Sequence, residues 1–352
     1  MKETLTVNQP LANTYRWLRS NGTEIEPFQA KGSLAIAWEQ DEFVRESAVS
    51  MEDLKTGMGL ELKRLTGGAV PFSHSFTAEP CADTVLRLRL GLNRDAGPQH
   101  SALRLRAETG CRMTVVADLS AAGGGAGLAA LQTKALIDEG AVLRLVLIQR
   151  LGAEDTFLND LGVRCAEGGR FEYVRLILGG HKTIDGCSAA LAGDRSAFTA
   201  EIGYRLGGED LLDMNYEAVH TGKRTECAIR ASGVLRDRAD KLFRGTIDFR
   251  KGCAGSVGNE TEDVLLMDDT VRCRTVPVIL CGEEDVEGNH GATIGRLDEN
   301  LIYYLESRGM AREAIDEMCA QARIDAVVRK IPDPETIRKL FPWLAEDEEA
   351  AL

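Results

Sequence analysis

The sequence predicts a mainly β fold, a solenoid of stacked strands with a C-terminal helical domain and a short N-terminal arm. Three observations predict it. From about residue 80, apolar and polar residues alternate with period two, segment after segment. Gly, Asp and Asn turns such as GLNRDAG and AEGGR separate these segments at coil-like intervals. After Gly295 the apolar spacing becomes helical. A sandwich or barrel also alternates, but two-residue hairpin signals such as Asn-Gly are lacking. The single NG, at 21–22, lies outside the alternating region.

The elements divide into an N-terminal arm and mixed segment at 1–70, a solenoid core at 71–295, a helical domain at 296–345 and an acidic tail at 346–352. In the arm, NTYRWLRSNG (13–22) suits a short helix or extended arm anchored by Trp17 and Leu18. DEFVRESAVSMEDLK (41–55) is polar and ambiguous. In TVLRLRLGL (84–92), Leu86, Leu88 and Leu90 face one way and Arg87 and Arg89 the other. SALRLRAE (101–108), VLRLVLI (142–148), FEYVRLIL (171–178), FTAEIGYRL (198–206), ECAIRASGVL (226–235) and GTIDF (245–249) continue the pattern. LILGG and YRLGG recur 28 residues apart, as rungs of a solenoid would. LDENLIYYLESRG predicts a helix that Gly309 ends. Residues 310–329 predict a second, with Ala314, Ile315, Met318 and Ala322 on its packed face. DPETIRKLF predicts a third, with Asp333 as N-cap, Pro334 at N1 and Pro342 as the stop.

Composition narrows the function. The chain has 352 residues, 44% apolar and 28% charged, with a net charge of -13. An acidic surface repels a phosphate backbone, and 5% aromatic content leaves few stacking platforms. Nucleic acid is therefore not an expected partner. No apolar run reaches the roughly 20 residues of a membrane span. The start, MKETLTVNQP, lacks the apolar core of a secretory signal, so a cytoplasmic protein is expected. Nine scattered cysteines form no CxxC motif, which argues for buried free thiols over a zinc site or disulfide framework.

Several motifs resemble chemistry without completing it. VVADLSAAGGGAGLAALQTKALIDEG (115–140) reads strand, glycine loop, helix, but Leu128 stands at the third glycine position of a dinucleotide fingerprint. A flexible excursion from a solenoid rung is the expectation there. LGGHKT and HTGKRT do not satisfy a phosphate-binding P-loop, so no ATP hydrolysis is expected from this chain. Neither G-x-S-x-G nor HExxH occurs. EGNHGATIG (287–295) sets His290 among residues without bulk. Such a histidine is accessible, titrates near neutrality and ligates borderline metals such as iron. It equally suits the closing turn of the last rung, held by hydrogen bonds.

The stretch from His220 to Leu340 resembles the core domain of the SufB/SufD family, the scaffold subunits of Suf iron–sulfur cluster assembly. The match is carried by HTGKRTECAIRASGVLRDRADKLFRGTIDFRKGCAG, by NETEDVLLMDD with VPVIL, and above all by EEDVEGNHGATIGRLDENLIYYLESRGM. LAALQTKALIDEGAVLRLVLIQRL is similar more loosely, and NTYRWLRSNG resembles a Trp-containing arm of SufD-type members. Gly291 after the histidine is SufD-like, Glu262 stands where SufB-like members carry a cysteine, and Gly288 stands where a cysteine usually precedes the histidine.

The resemblance implies a right-handed parallel β-helix with terminal helices and a non-enzymatic role. It implies a SufC-type ABC ATPase docked on residues 297–340, with Tyr303, Tyr304, Leu305 and Arg308 as contributors. It implies pairing of solenoid ends, with a SufB-like subunit or a second copy, and a transient iron–sulfur cluster at that interface. His290 is then the candidate iron or cluster ligand, with Glu283, Glu284, Asp285 and Glu287 as nearby carboxylates that attract iron. The rival expectations are a solenoid enzyme acting on carbohydrate, and a SufC-binding regulator without a cluster role.

Overall fold

Alternating segments become strands that pair with the segment one rung away and not with their sequence neighbours. The computed structural model describes residues 4–14, 16–47, 49–68 and 72–344, so the acidic tail at 346–352 lies outside the described residues. The N-terminal region supplies β1 (Leu5–Val7), β2 (Thr23–Ile25), β3 (Ala35–Gln40), β4 (Val44–Glu46) and helix α1 (Leu60–Leu65). The first solenoid strands are β5 (Phe72–Ala78), β6 (Asp83–Asn93), β7 (Gln99–Ala107), β8 (Arg112–Ala122), β9 (Leu128–Ile137), β10 (Val142–Arg150), β11 (Thr156–Cys165) and β12 (Arg170–Ile177). They continue as β13 (Lys182–Leu191), β14 (Ala197–Leu206), β15 (Leu211–His220), β16 (Glu226–Leu235), β17 (Asp240–Phe249), β18 (Ser256–Leu266), β19 (Arg272–Cys281) and β20 (Val286–Gly295). Three helices follow, α2 (Glu299–Ser307), α3 (Arg312–Val328) and α4 (Pro334–Leu340).

Among the described residues there are two nine-stranded sheets. Even-numbered strands β6 to β20 form one, begun by β3, and odd-numbered strands β5 to β19 form the other, begun by β4. Solenoid strands pair in parallel, for example Val142 beside Arg170 and Thr156 beside Lys182. β3 and β4 join antiparallel, on β6 and β5. This is a β-solenoid, as the alternation and the turn spacing predict.

The core lies between the sheets, because each strand sends alternate side chains inward. Leu86, Leu88 and Leu90 are at most 1% exposed, while Arg87 and Arg89 point out. Aromatic residues stack from rung to rung: Phe171 and Phe198 lie 5.5 Å apart at 11°, and Tyr173 stacks on Tyr216. Each such burial stabilises the fold by about 1.5–3 kcal/mol. The outside carries ion pairs between successive rungs, such as Arg144–Glu172, Arg195–Glu167 and Arg230–Glu201.

The interior is not uniformly apolar. Arg175 and Asp185 are fully buried and bonded at 2.6 Å, joined by Gln149, Asn159 and Tyr216. The N-terminal segment wraps the outer face of the odd-numbered sheet. Asn8 donates to Asp213 at 2.7 Å, and Arg244 holds the same carboxylate at 2.8 and 2.9 Å. At Gly57 a Cβ would stand 2.2 Å from the Gly186 backbone, so this crossing requires glycine.

The helices fall where their spacing predicts, but one packed face differs. Ile315, Ala320, Ile324, Val327 and Val328 of α3 are buried, whereas Ala314, Met318 and Ala322 are exposed. The stripe is set by the apolar outer residues Val146, Ile148, Val174 and Leu176 that α3 covers. Asp333 does precede α4, yet its carboxylate takes Arg87 at 2.9 Å through both oxygens and the Thr336 hydroxyl at 2.7 Å. The arm at 13–22 holds one 3-10 turn, Arg16–Leu18, and neither expected anchor is buried, Trp17 being 77% exposed. The backbone carbonyl of Ser20 anchors the arm instead, accepting from Arg244. The glycine run at 115–140 is no excursion and no helix follows it. Gly123–Gly127 is a rung corner, and 128–137 is strand β9. No helix among the described residues is long and apolar enough to cross a membrane.

Candidate functional site

EGNHGATIG is not a turn: it lies within β20, the last strand of the even-numbered sheet. β18 holds one side of β20, and β17 holds one side of β19. The other edge of each ten-residue strand is unpaired among the described residues. The solenoid therefore ends in an open mouth framed by two rows of free backbone donors and acceptors.

The register fixes which side chains look into this mouth. Gly258 of β18 faces Ile247 and Phe249 across the core, beside Cys227 of the neighbouring strand, and Gly288 of β20 faces Ile279 and Phe249. Both are therefore inward positions, and alternation turns Glu260, Glu262, His290 and Ala292 inward too. His290 pairs directly with Glu260, and Ala292 with Glu262. His290 is exposed because no strand lies beyond it. On the facing sheet, Cys273, Thr275, Pro277, Ile279 and Cys281 share the parity of the core residues Phe243, Ile247 and Phe249.

Beneath His290 lies a buried polar cluster. Glu262 is 3% exposed and accepts from Tyr204 at 3.1 Å, from Lys241 and from Thr275. Lys241 also donates to Thr275 at 3.1 Å. Glu260, likewise 3% exposed, has an Oε2 with no hydrogen-bond partner among the described residues. Its carboxyl group reaches the facing strand, where a Cβ on Gly245 would stand 2.2 Å from it. Burial, and then the nearby Glu262, push the Glu260 carboxyl up to about 7, against the opposing pull of Lys241. Burial also raises the Cys273 thiol, which Lys241 partly offsets. Cys281, at the rim, is an exposed free thiol.

Sequence reasoning singled out Glu262 only by alignment and missed Glu260, Lys241, Tyr204, Cys273 and Cys281. A signal existed. Charged residues at the inward parity of an otherwise apolar alternation mark an interior polar layer, but the parity is visible only once the register is known. Of the expected carboxylates, Glu283 sits in the corner before β20 and accepts from Gly252 N at 2.8 Å. Backbone donors hold its carboxyl below the usual range. Glu284 and Asp285 share that corner, and Glu287 lies on β20 at the parity opposite to His290, where it accepts from Asn289 at 2.9 Å. These four are thus beside the mouth and not inside it. No group of three His, Cys, Asp or Glu among the described residues is arranged to hold a metal ion by itself.

A second exposed feature lies on α2. Asp298 caps it, accepting from Asn300 N at 2.7 Å and Leu301 N at 3.1 Å, and Ile302 is its buried residue. Tyr303 is 74% and Tyr304 52% exposed, with Arg308 lying 5.2 Å over the Tyr304 ring. Leu305 is half-buried. Leu301 and Met318 add exposed apolar surface to the same pair of helices.

Comparison with known proteins places relatives beside this chain. The chain is 26% identical over 177 residues to the iron–sulfur cluster assembly protein SufD of Bacillus subtilis, covering 50% of this chain and 40% of that protein. It is 29% identical over 120 residues to an iron–sulfur cluster assembly SufBD family protein of Mycobacterium leprae, covering 34% and 14%. A SufBD family protein of Staphylococcus saprophyticus is 24% identical over 167 residues, covering 47% and 36%. The matched region thus spans less than half the length of each of these relatives. Residues 91–323 match the SufBD core domain of the SUF system for FeS cluster assembly, and the chain belongs to that family.

Proposed function

We propose that this chain is a non-catalytic, cytoplasmic scaffold on which an iron–sulfur cluster is built as cargo and passed on. The observation that carries the reading is the open solenoid mouth, where His290 looks inward between two unpaired strand edges. Such edges suit pairing with the end of another solenoid, a SufB-like subunit or a second copy. A cluster shared between two chains draws part of its ligand set from the partner, so His290 need supply only one ligand of several. His290 supplies an imidazole to iron or to the cluster, and the Cys281 thiol stands at the same rim. The carboxylates Glu283, Glu284, Asp285 and Glu287 draw ferrous iron toward the opening by charge.

ATP hydrolysis belongs to a SufC-type ABC ATPase that docks on 297–340. Exposed Tyr303 and Tyr304 with Arg308 are the residue types that dominate binding energy at interfaces, and Leu305 supports them. The test combines the full chain with a SufC-type ATPase and a SufB-like subunit, followed by anaerobic reconstitution with ferrous iron and sulfide. His290→Ala should abolish the cluster's visible absorbance while the melting temperature stays unchanged. Full cluster formation in this variant, or loss only in step with unfolding, would refute the role of His290.

A further inference from the structure

A cavity of about 910 Å³ lies far from the mouth, on the outer face of the odd-numbered sheet near its start. Its floor is β5, β7 and β9, and the segment 49–56, mixed in polarity, forms its wall. Register places Ser75, Arg104 and Lys134 side by side on these three strands. His100 and Gln132 project from the same outer face.

Two of the cations here stand side by side with no carboxylate bonded to either among the described residues. Arg104 and Lys134 are like charges directly paired across neighbouring strands, an arrangement that costs free energy unless something offsets it. Lys134 is buried and donates to the Met51 and Glu52 carbonyls at 2.7 and 3.0 Å, leaving its third N–H uncommitted among the described residues. Arg104 makes one hydrogen bond, to the Leu103 carbonyl at 3.2 Å, and has no carboxylate partner among the described residues. His100 is 2% exposed, and neither ring nitrogen has a partner among the described residues. The carboxylates in the wall, Glu52 and Asp53, are on exposed residues, and the buried Asp160 beside the floor is taken up by Gln132 at 3.1 Å and by the Met58 backbone N–H at 2.7 Å. Lys55, also in the wall, is already paired with Glu217 at 2.7 Å.

We propose that this cavity binds a small organic phosphate, with its phosphate group held by Arg104, Lys134 and His100. An anion at this point offsets the paired cations and satisfies the imidazole, which can donate one N–H to a phosphate oxygen. Burial holds the Arg104 guanidinium and the Lys134 ammonium below their usual ranges, and brings His100 down to about 4 with help from Arg104. Buried Asp160 and the wall carboxylates Glu52 and Asp53 pull the Lys134 ammonium back up, whereas Arg104 has no such neighbour acting on it. The volume exceeds what a free phosphate fills, and Val49, Met51 and Leu54 give the wall apolar surface for an organic body. This inference does not depend on the cluster role.

The experiment is calorimetric titration of the full chain at low ionic strength with inorganic phosphate, ADP and citrate as probes. Phosphate and ADP should compete for one site, with ADP the tighter. Arg104→Gln should weaken both by about tenfold or more. Arg104 makes no other side-chain interaction that folding needs, and an unchanged melting temperature checks this. Arg104→Lys should recover part of the affinity, and the His100 ring signals should shift on ADP addition in the NMR spectrum. The proposal is overturned if neither phosphate nor ADP binds below about 10 mM. It is equally overturned if Arg104→Gln binds them as the parent does, or if citrate alone binds.

Discussion

Replacing Glu260 by Gln should stabilise the protein at alkaline pH and do little at mildly acidic pH. The Glu260 carboxyl is 3% exposed, lacks a partner on Oε2 among the described residues and titrates near 7 instead of the ordinary 4.5. Its folded value is raised, so the native state binds more protons than the unfolded chain between these two values. Stability therefore falls as pH rises through that window, and the penalty is complete above it. A shift of this size corresponds to about 3 kcal/mol at pH 8 and under about 1 kcal/mol at pH 5. Gln keeps the shape and carries no charge, so it removes a pH-dependent difference of about 2–3 kcal/mol. With an unfolding entropy near 2 cal/mol/K per residue, that is a melting-temperature gain larger by about 3 °C at pH 8 than at pH 5. Scanning calorimetry of both proteins at the two pH values measures it. An equal change at both values would show that Glu260 is not a strained, protonated carboxyl beneath His290.

Three further outcomes follow from the same geometry. Lys241→Met leaves Glu262 buried without its cation and should cost about 3–5 kcal/mol in denaturant unfolding; Lys241→Met with Glu262→Gln should recover most of this, and no recovery would contradict the pairing. Gly245→Ala pushes a methyl group onto the Glu260 carboxyl and should destabilise by about 1–3 kcal/mol, measured by thermal melting, with less effect when Glu260 is also made smaller. Tyr303→Ala with Tyr304→Ala should weaken ATPase capture by at least about tenfold in a binding assay while leaving the melting temperature within a degree or so, because both rings are largely solvent-exposed.

The rungs were legible because a one-sided strand writes its burial directly as alternation. Leu86, Leu88 and Leu90 show this, and ECAIRASGVL corresponds to β16 residue for residue. Much of the odd-numbered sheet was not legible. Strands such as β9 and β13 bury both faces, one in the core and one under the N-terminal segment, so LAALQTKALI shows no clean alternation. β20 escaped notice for the opposite reason. Its ten residues are nearly all exposed, and small residues at an open edge look like a turn. Resemblance located His290, but only pairing shows that it shares a face with Glu260. The outer face of α3 misled for a related reason: Ala314 and Met318 have helical spacing, yet the stripe that packs is chosen by the sheet beneath.

The two ends of the solenoid are unlike. At its start, β3 and β4 turn back antiparallel and present strands of six and three residues, whereas the finish presents two of ten. A body with equivalent sticky ends would string together into a fibre. One with a single long, receptive end can be joined only once, so association through it closes on itself as a pair. The backward-running strands at the start thus act as a chain terminator, leaving the far end as the one with two long open edges among the described residues.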